Sequence, residues 1–399
     1  MAALILKTNN FEPMNIARAE GSWVWDIEGK KYLDFVSGTW ACNLGHRHPK
    51  MIQAMRKQMD EIIHRCMRFH TPITLEAAEQ VLNFLPNKYD KITFLNSGSE
   101  AMEFAISFAR NVTGKTKVLS LKDSYFGAYG MAKESSYTSL KASKLKIPYP
   151  ECNSDNCDCL EDFDSLIDHV LENYSNELAC FVLESIMVSG GVRKPCSKFI
   201  AKLCSSLQDV GVLVVANEVT TGFGRSGFRF GHEHHNINPD IVTMGKAMGN
   251  GYPVSAIATR SKLESKLTEA NYYWAQSHQL DPLGAAVAKS VVEIFIDNKI
   301  VEKSQEKIQL INTFLKSLSY PFIKEIRSHG MIFGVQIKPY EGKSSTELIL
   351  KIKDKLLEEG VLIGISLGKE ILRFLPSLTI TNDDLAFFKE KFVQVLNQI

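Results

Sequence analysis

Through the middle of the chain, short unbroken apolar runs alternate with longer stretches whose apolar residues recur every three to four positions. The clearest run is Val212-Leu-Val-Val-Ala216. A strand covered on both faces reads in this way, whereas the longer period marks one apolar stripe on a helix. Candidate strands are Lys91–Leu95, Lys117–Leu121, Cys180–Glu184, Val212–Ala216 and Asp240–Met244. Candidate helices between them include Ser99–Asn111, Leu160–Tyr174 and Cys196–Gln208. The alternation predicts an α/β domain with a mostly parallel sheet flanked by helices. In such sheets ligands sit at the carboxyl ends of the strands, so chemistry is to be sought there.

The two ends of the chain read differently. Trp23–Phe35 holds two short β-like runs around the turn Asp26-Ile-Glu-Gly29. After Ile294 come helical segments, alternating runs at Ile332–Lys338 and Val361–Ile365, and a last helix near Asp383–Leu396. The expected organisation is a large domain over 46–290 and a smaller α+β domain built from 1–45 and 291–399.

Composition excludes several classes. The 399 residues are 45% hydrophobic and 23% charged, ordinary for a globular protein, with 46 basic and 45 acidic residues and a net charge of +1. That balance gives no field to attract nucleic acid or an anionic membrane. Met1–Asn10 lacks the features of a signal peptide, and no apolar run is long enough to span a bilayer, so a cytoplasmic location is expected. Eight cysteines in this length do not suggest a disulfide scaffold. The one cluster, Cys152, Cys157 and Cys159, lacks a fourth ligand and the usual paired spacing of a zinc site, so no metal is expected.

Four features follow predicted strands. Asn96-Ser-Gly-Ser-Glu100 opens a helix, where free backbone N–H groups and a glycine make an anion cradle; simple capping would look the same. Asp123-Ser-Tyr-Phe-Gly127 offers an aromatic plate for a flat ring, or merely a packed loop. Asn217, ending a buried run, needs a polar partner such as a ring nitrogen or a loop amide. Lys246, in Met244-Gly-Lys-Ala-Met-Gly249, sits among small residues, where burial lowers an amine pKa and suits it to Schiff-base chemistry. Each alone is weak. Together they are the parts that a pyridoxal-5'-phosphate (PLP) site requires.

With these motifs in hand, the sequence resembles the class III (ornithine/4-aminobutyrate type) aminotransferases of PLP fold type I, over nearly its whole length. The matching segments include Asp26-Ile-Glu-Gly-Lys-Lys-Tyr-Leu-Asp-Phe35, Leu44-Gly-His-Arg-His-Pro49, Asn96-Ser-Gly-Ser-Glu-Ala101 and Arg373-Phe-Leu-Pro376. The most specific are Gly222-Phe-Gly-Arg-Ser-Gly227 and Pro239-Asp-Ile-Val-Thr-Met-Gly-Lys246. The resemblance implies roles. Gly98 and Ser99 bind the cofactor phosphate, Tyr125 stacks on the ring, Asn217 faces the ring nitrogen, and Lys246 forms the Schiff base. Glu184 and Thr220 belong to the cofactor site. Ser277 reaches the phosphate of the neighbouring subunit's cofactor, which makes the protein a homodimer. Trp40 lines the substrate pocket and Arg373 binds a carboxylate. The implied reaction moves an amino group from a small amino acid or amine to a keto acid.

Three positions depart from the family pattern. Asn217 replaces an aspartate that keeps the ring nitrogen protonated. Thr220 replaces a longer glutamine. Ser189 stands where many relatives that accept ω-amines carry a glutamate that pairs with the arginine. The first departure opens an alternative reading, a PLP-dependent racemase, epimerase or lyase on the same scaffold.

Overall fold

The computed structural model describes residues 14–86, 88–139, 145–151 and 163–399. The cysteine cluster and the first three residues of the candidate helix Leu160–Tyr174 lie outside them. Among the described residues seven strands form the central sheet, in the order Lys91–Leu95, Ser255–Thr259, Ile241–Met244, Leu213–Asn217, Leu178–Leu183, Lys117–Leu121 and Leu145–Ile147. Only Ser255–Thr259 runs against the others; it pairs antiparallel with Lys91–Leu95 on one side and Ile241–Met244 on the other. The remaining pairs are parallel. Every residue of Leu178–Leu183 and Leu213–Asn217 is buried, which is why those segments show no polar alternation.

The elements stop where local chemistry stops them. In the helix Gly98–Thr113 the Ser97 hydroxyl accepts from the Glu100 N–H at 3.2 Å. Glu100 also accepts from the Asn96 N–H at 3.0 Å, so one free donor of the first turn and the N–H just before the cap are satisfied. At the other end Gly114, at φ 68°, returns its N–H to the Arg110 carbonyl at 2.9 Å. The buried face of this helix, Ala101, Met102, Ala105, Phe108 and Ala109, packs on the sheet.

Both termini build two further sheets. Ile16–Glu20, Trp23–Asp26, Lys31–Asp34 and Val361–Leu362 form one; Ile323–Ser328, Phe333–Ile337, Ile371–Phe374 and Gly364–Ser366 form the other. Leu33 pairs in parallel with Val361, so the N-terminal and C-terminal segments share a sheet. Phe35 stacks on Phe388 with ring centroids 3.9 Å apart, which joins the first segment to the last helix, Asn382–Leu396. Arg225, from the central region, is fully buried between the parts. It donates to the Met331 carbonyl at 3.2 Å, the Pro376 carbonyl at 2.5 Å and Asn43 Oδ1 at 2.5 Å. Among the described residues no helix is long and apolar enough to cross a membrane.

Candidate active site

Because the strands Lys91–Leu95, Lys117–Leu121, Leu178–Leu183, Leu213–Asn217 and Ile241–Met244 point the same way, their carboxyl ends form one rim. Asn96–Glu100, Tyr125, Glu184, Asn217 and Lys246 all leave from that rim.

The helix start is closely approached. A Cβ on Gly98 would lie 2.5 Å from Val219 Cγ1, so only glycine fits against the loop that follows Asn217. Ser99 Oγ accepts from the Ala128 N–H at 3.0 Å, which ties the loop after Lys117–Leu121 to this helix. Tyr125 is held on both sides of its main chain. Its N–H donates to Glu184 Oε2 at 2.8 Å, and its carbonyl accepts from Asn217 Nδ2 at 3.1 Å. Asn217 is buried, and its Oδ1 accepts from the Val219 N–H at 3.2 Å. The two backbone partners fix which way the amide faces.

Lys246 follows Met244 and Gly245 at the head of a single 3₁₀ turn, with φ 40°. The left-handed region is uncommon for a residue with a side chain and concentrates at functional positions. Its Nζ donates to Thr220 Oγ1 at 3.0 Å and lies 5.4 Å from the centre of the Trp40 ring. Arg373, on the strand Ile371–Phe374, places its guanidinium 4.8 Å from the same ring. One Nη2 bond goes to the Ile365 carbonyl at 2.7 Å, while the buried Nε has no partner. No carboxylate among the described residues pairs with Arg373. Trp40 is therefore a wall shared by the two cations, and its own φ is 67°.

The charges respond to this setting. Burial lowers the Lys246 amine to about 8, with the Glu184 carboxylate opposing. Burial pushes Glu184 up to about 8, against the Tyr125 N–H, the Lys246 charge and the Val188 N–H. An amine near 8 is neutral for a useful fraction of the time, as a nucleophile must be.

Nine of the ten candidate residues therefore fall around one rim. Ser277 does not leave from that rim: it is exposed, on the segment between the helices Ser261–Glu269 and Pro282–Asp297. Three residues escaped the sequence reading. Val219 closes on Gly98. Tyr137 donates to the Ser189 carbonyl at 3.5 Å, and electrostatic coupling links it to Arg373. Lys369, 5.3 Å from the Tyr137 ring, pairs with Asp123. Nothing in the local pattern marks Tyr137 or Lys369, because only the tertiary fold brings them to the rim.

A model of the aminotransferase class-III family matches residues 6–396. The chain belongs to the class III aminotransferases. Its curated relatives include a [LysW]-aminoadipate semialdehyde/glutamate semialdehyde transaminase of Sulfolobus acidocaldarius. That protein is 30% identical over 384 residues, covering 93% of this chain and 92% of its own. An acetylornithine aminotransferase of Bacillus subtilis is 28% identical over 392 residues, covering 96% and 95%. Among solved structures, the omega transaminase of Pseudomonas jessenii in complex with PMP superposes with a TM-score of 0.89 at 22% identity, covering 99% of this chain and 96% of that one. The fold is PLP fold type I. The cofactor of this class III aminotransferase is PLP, and its reaction is amino transfer. The racemase, epimerase or lyase alternative is not favoured.

Proposed function

We propose that this aminotransferase takes amino acids through a carboxylate docked on Arg373, with Lys246 as the lysine that holds the cofactor. The observation that carries the reading is the shared Trp40 wall. A lowered amine stands 5.4 Å from one ring centre and an unpaired guanidinium 4.8 Å from it. A substrate against Trp40 thus has a base beside its reacting carbon and a cation for its carboxylate.

The residues present suit the cofactor. The helix start at Gly98 and Ser99 offers N–H donors behind a glycine that tolerates no side chain, which suits a phosphate. Tyr125 is pinned through its main chain and offers its ring as a plate. Asn217 keeps one N–H and one lone pair beyond its two backbone bonds, so it has capacity for a ring nitrogen. When bound, the cofactor supplies an electron sink that makes the substrate's α-proton acidic.

The protein's own part is positional and acid–base. With the cofactor bound, Lys246 would hold it and would serve as the base that takes the proton from the substrate α-carbon and as the acid that gives it back. Thr220 orients the lysine amine. Glu184 holds the Tyr125 main chain and sets the proton affinity of Lys246 by its charge. Arg373 clamps the carboxylate, and Ser189 leaves it ungated. Bidentate guanidinium–carboxylate contact fixes the substrate in one orientation.

The division into 46–290 and 1–45 with 291–399, the homodimer in which Ser277 serves the neighbouring site, and a cytoplasmic location belong to the same proposal. The relatives' names speak of acetylornithine and semialdehyde substrates carrying carboxylates, in keeping with a carboxylate dock. Borohydride reduction of the PLP-loaded protein, followed by peptide mapping, tests the assignment. The label is expected on Lys246; a label on any other lysine overturns it.

A further inference from the structure

A cavity of about 530 Å³ lies away from the rim. Its walls include Val192–Lys194, the strand Ile323–Ser328 with His329 after it, and the end of the helix Ile300–Lys316. Among the described residues that line it are four cations, Arg193, Lys194, Lys316 and Arg327, and two carboxylates, Glu151 and Glu325. None of the ten candidate site residues lines it. We propose that this cleft binds a small oxyanion, the phosphate or carboxylate group of a metabolite, and that its occupancy is transmitted to the rim through the loop Met187–Arg193.

The charges are the first argument. Each carboxylate already has an arginine: Glu151 pairs with Arg193, and Glu325 Oε2 lies 2.6 Å from Arg327 Nη2. Lys194 and Lys316 have no ion-pair partner among the described residues. The cleft thus carries two cations in excess, and its low-dielectric walls concentrate their field on whatever enters. His329 lies in that field. Its ring has no hydrogen-bond partner among the described residues, and burial together with the Lys194, His234 and Arg327 charges pushes its pKa down to about 3. An oxyanion supplies the missing countercharge and accepts charge-assisted hydrogen bonds from the lysines. A cavity of this size suits a small metabolite.

The second argument is the loop between the cleft and the rim. Its ends are bonded to each other: the Met187 N–H donates to the Arg193 carbonyl at 2.8 Å, and the Arg193 N–H to the Met187 carbonyl at 3.3 Å. On the cleft side Arg327 Nη1 donates to the Gly191 carbonyl at 2.5 Å. On the rim side the Val188 N–H bonds to Glu184, and the Ser189 carbonyl accepts from the Tyr137 hydroxyl at 3.5 Å. A Cβ on Gly190 would lie 2.2 Å from the Asp123 carbonyl oxygen, so the loop is pressed onto the segment that leads to Tyr125. An oxyanion that draws on the Arg327 guanidinium competes with the Gly191 carbonyl and loosens the loop. Tyr137 and, beyond it, Arg373 then lose a fixed neighbour, so carboxylate substrates should bind less well. The link, unlike the binding, rests on reading Arg373 as the carboxylate dock.

The test titrates PLP-loaded enzyme in its native assembly with inorganic phosphate and, separately, with citrate, by calorimetry. Arg373→Ala is titrated alongside, so that an anion at the substrate dock is told apart from one in the cleft. Wild type and Arg373→Ala are expected to bind alike. Lys194→Ala combined with Lys316→Ala should weaken binding by roughly tenfold or more, with the circular dichroism spectrum and the activity without added anion unchanged. Tighter binding of phosphate or of citrate names which oxyanion the cleft serves, and either result supports it. No binding of either anion, equal binding by the lysine variant, or binding lost in Arg373→Ala overturns the site. In turnover, the bound anion should raise KM for the α-amino acid that the enzyme converts fastest by about twofold or more, and the lysine variant should abolish that rise. A KM indifferent to the bound anion, or a rise that persists in the lysine variant, overturns the link to the rim.

Discussion

Glu184 and Glu218 are both buried, on neighbouring strand ends, and behave in opposite ways. Glu218 is surrounded by donors: Thr221 Oγ1 at 2.6 Å, the Gly231 N–H at 2.7 Å, the His232 N–H at 2.7 Å and His232 Nδ1 at 2.8 Å. Burial alone would raise its pKa, but the His232, Thr221 and Gly231 bonds outweigh burial and lower it. Glu184 has the Tyr125 and Val188 N–H groups and the charge of Lys246, which do not offset burial, and it rises. A buried charge whose hydrogen-bonding capacity is filled serves the fold. One left partly unfilled beside an equally unfilled lysine is held ready for chemistry. Arg225 and Arg373 repeat the contrast. Both leave a buried Nε without a partner, but the first is bonded to three oxygens across the parts of the molecule and the second to one carbonyl.

The largest expected effect falls on the unfilled side. Lys246→Ala removes the group that moves the proton, and turnover should drop by at least about 10²–10⁴-fold, followed as the rate of keto acid formation. Cofactor retained through the phosphate cradle would leave this expectation intact, whereas near-normal turnover would break the comparison at its root.

On the filled side, Glu218→Gln leaves the Gly231 and His232 donors without their anion. Breaking a buried pair by removing one partner costs about 3–5 kcal/mol, read from the shift in the urea midpoint. A loss below about 1 kcal/mol would mean that Glu218 is not structural.

Arg373→Ala should raise KM for α-amino acids by roughly 10- to 100-fold, the value of a charge-assisted contact, and leave amines without a carboxylate almost unaffected. Equal effects on both substrate classes would remove the carboxylate dock from the reading.

The lysine–glutamate pair makes a pH prediction. Capture of PLP by cofactor-free enzyme needs neutral Lys246, so its rate should climb about tenfold per pH unit and level off above about pH 8. The Glu184 carboxylate raises the lysine's affinity for its proton, so Glu184→Gln should move the plateau to lower pH. The same variant sharpens the comparison in stability. A carboxyl raised to about 8 on folding weakens the fold as pH climbs from about 4.5 through 8, because the folded state resists ionisation. Cofactor-free Glu184→Gln should therefore lose less stability than wild type across that window, as measured by urea unfolding at pH 5 and pH 8.

The smallest effect concerns Asn217. Asn217→Asp places a charge opposite the ring nitrogen, and a modest gain in the α-proton step is expected, under about tenfold, with a smaller isotope effect from α-deuterated substrate. The gain is limited because the present amide also donates to the Tyr125 carbonyl, a bond that an ionised aspartate cannot make.

Much of the fold was legible because burial wrote itself into the chain. Val212–Ala216 reads as a strand since both its faces are covered, and the strand found, Leu213–Asn217, is displaced by one residue. Lys91–Leu95 and Lys117–Leu121 match end to end. Ser255–Thr259 escaped because its small residues, Ser-Ala-Ile-Ala-Thr, carry little β signal and only its two neighbours define it. The rim itself was foreseeable from the order of strands and motifs, with the resemblance assigning Trp40 and Arg373. The mutual tuning of Glu184 and Lys246, the closing of Val219 on Gly98 and the place of Tyr137 were not, since each depends on contacts between segments far apart in sequence.

The antiparallel strand has a consequence for how the chain is made. Lys91–Leu95, which leads into the helix Gly98–Thr113, pairs among the described residues only with Ser255–Thr259, about 160 residues later. At ribosomal speeds of roughly 5–20 residues per second, that partner emerges on the order of ten to thirty seconds afterwards. Through that interval an apolar strand edge waits unpaired, open to self-association or to a chaperone. The rim that carries Gly98 and Lys246 is thus among the last parts to assemble, and slow-folding variants of Ser255–Thr259 should fail by aggregation during synthesis before any finished enzyme exists to be inactive.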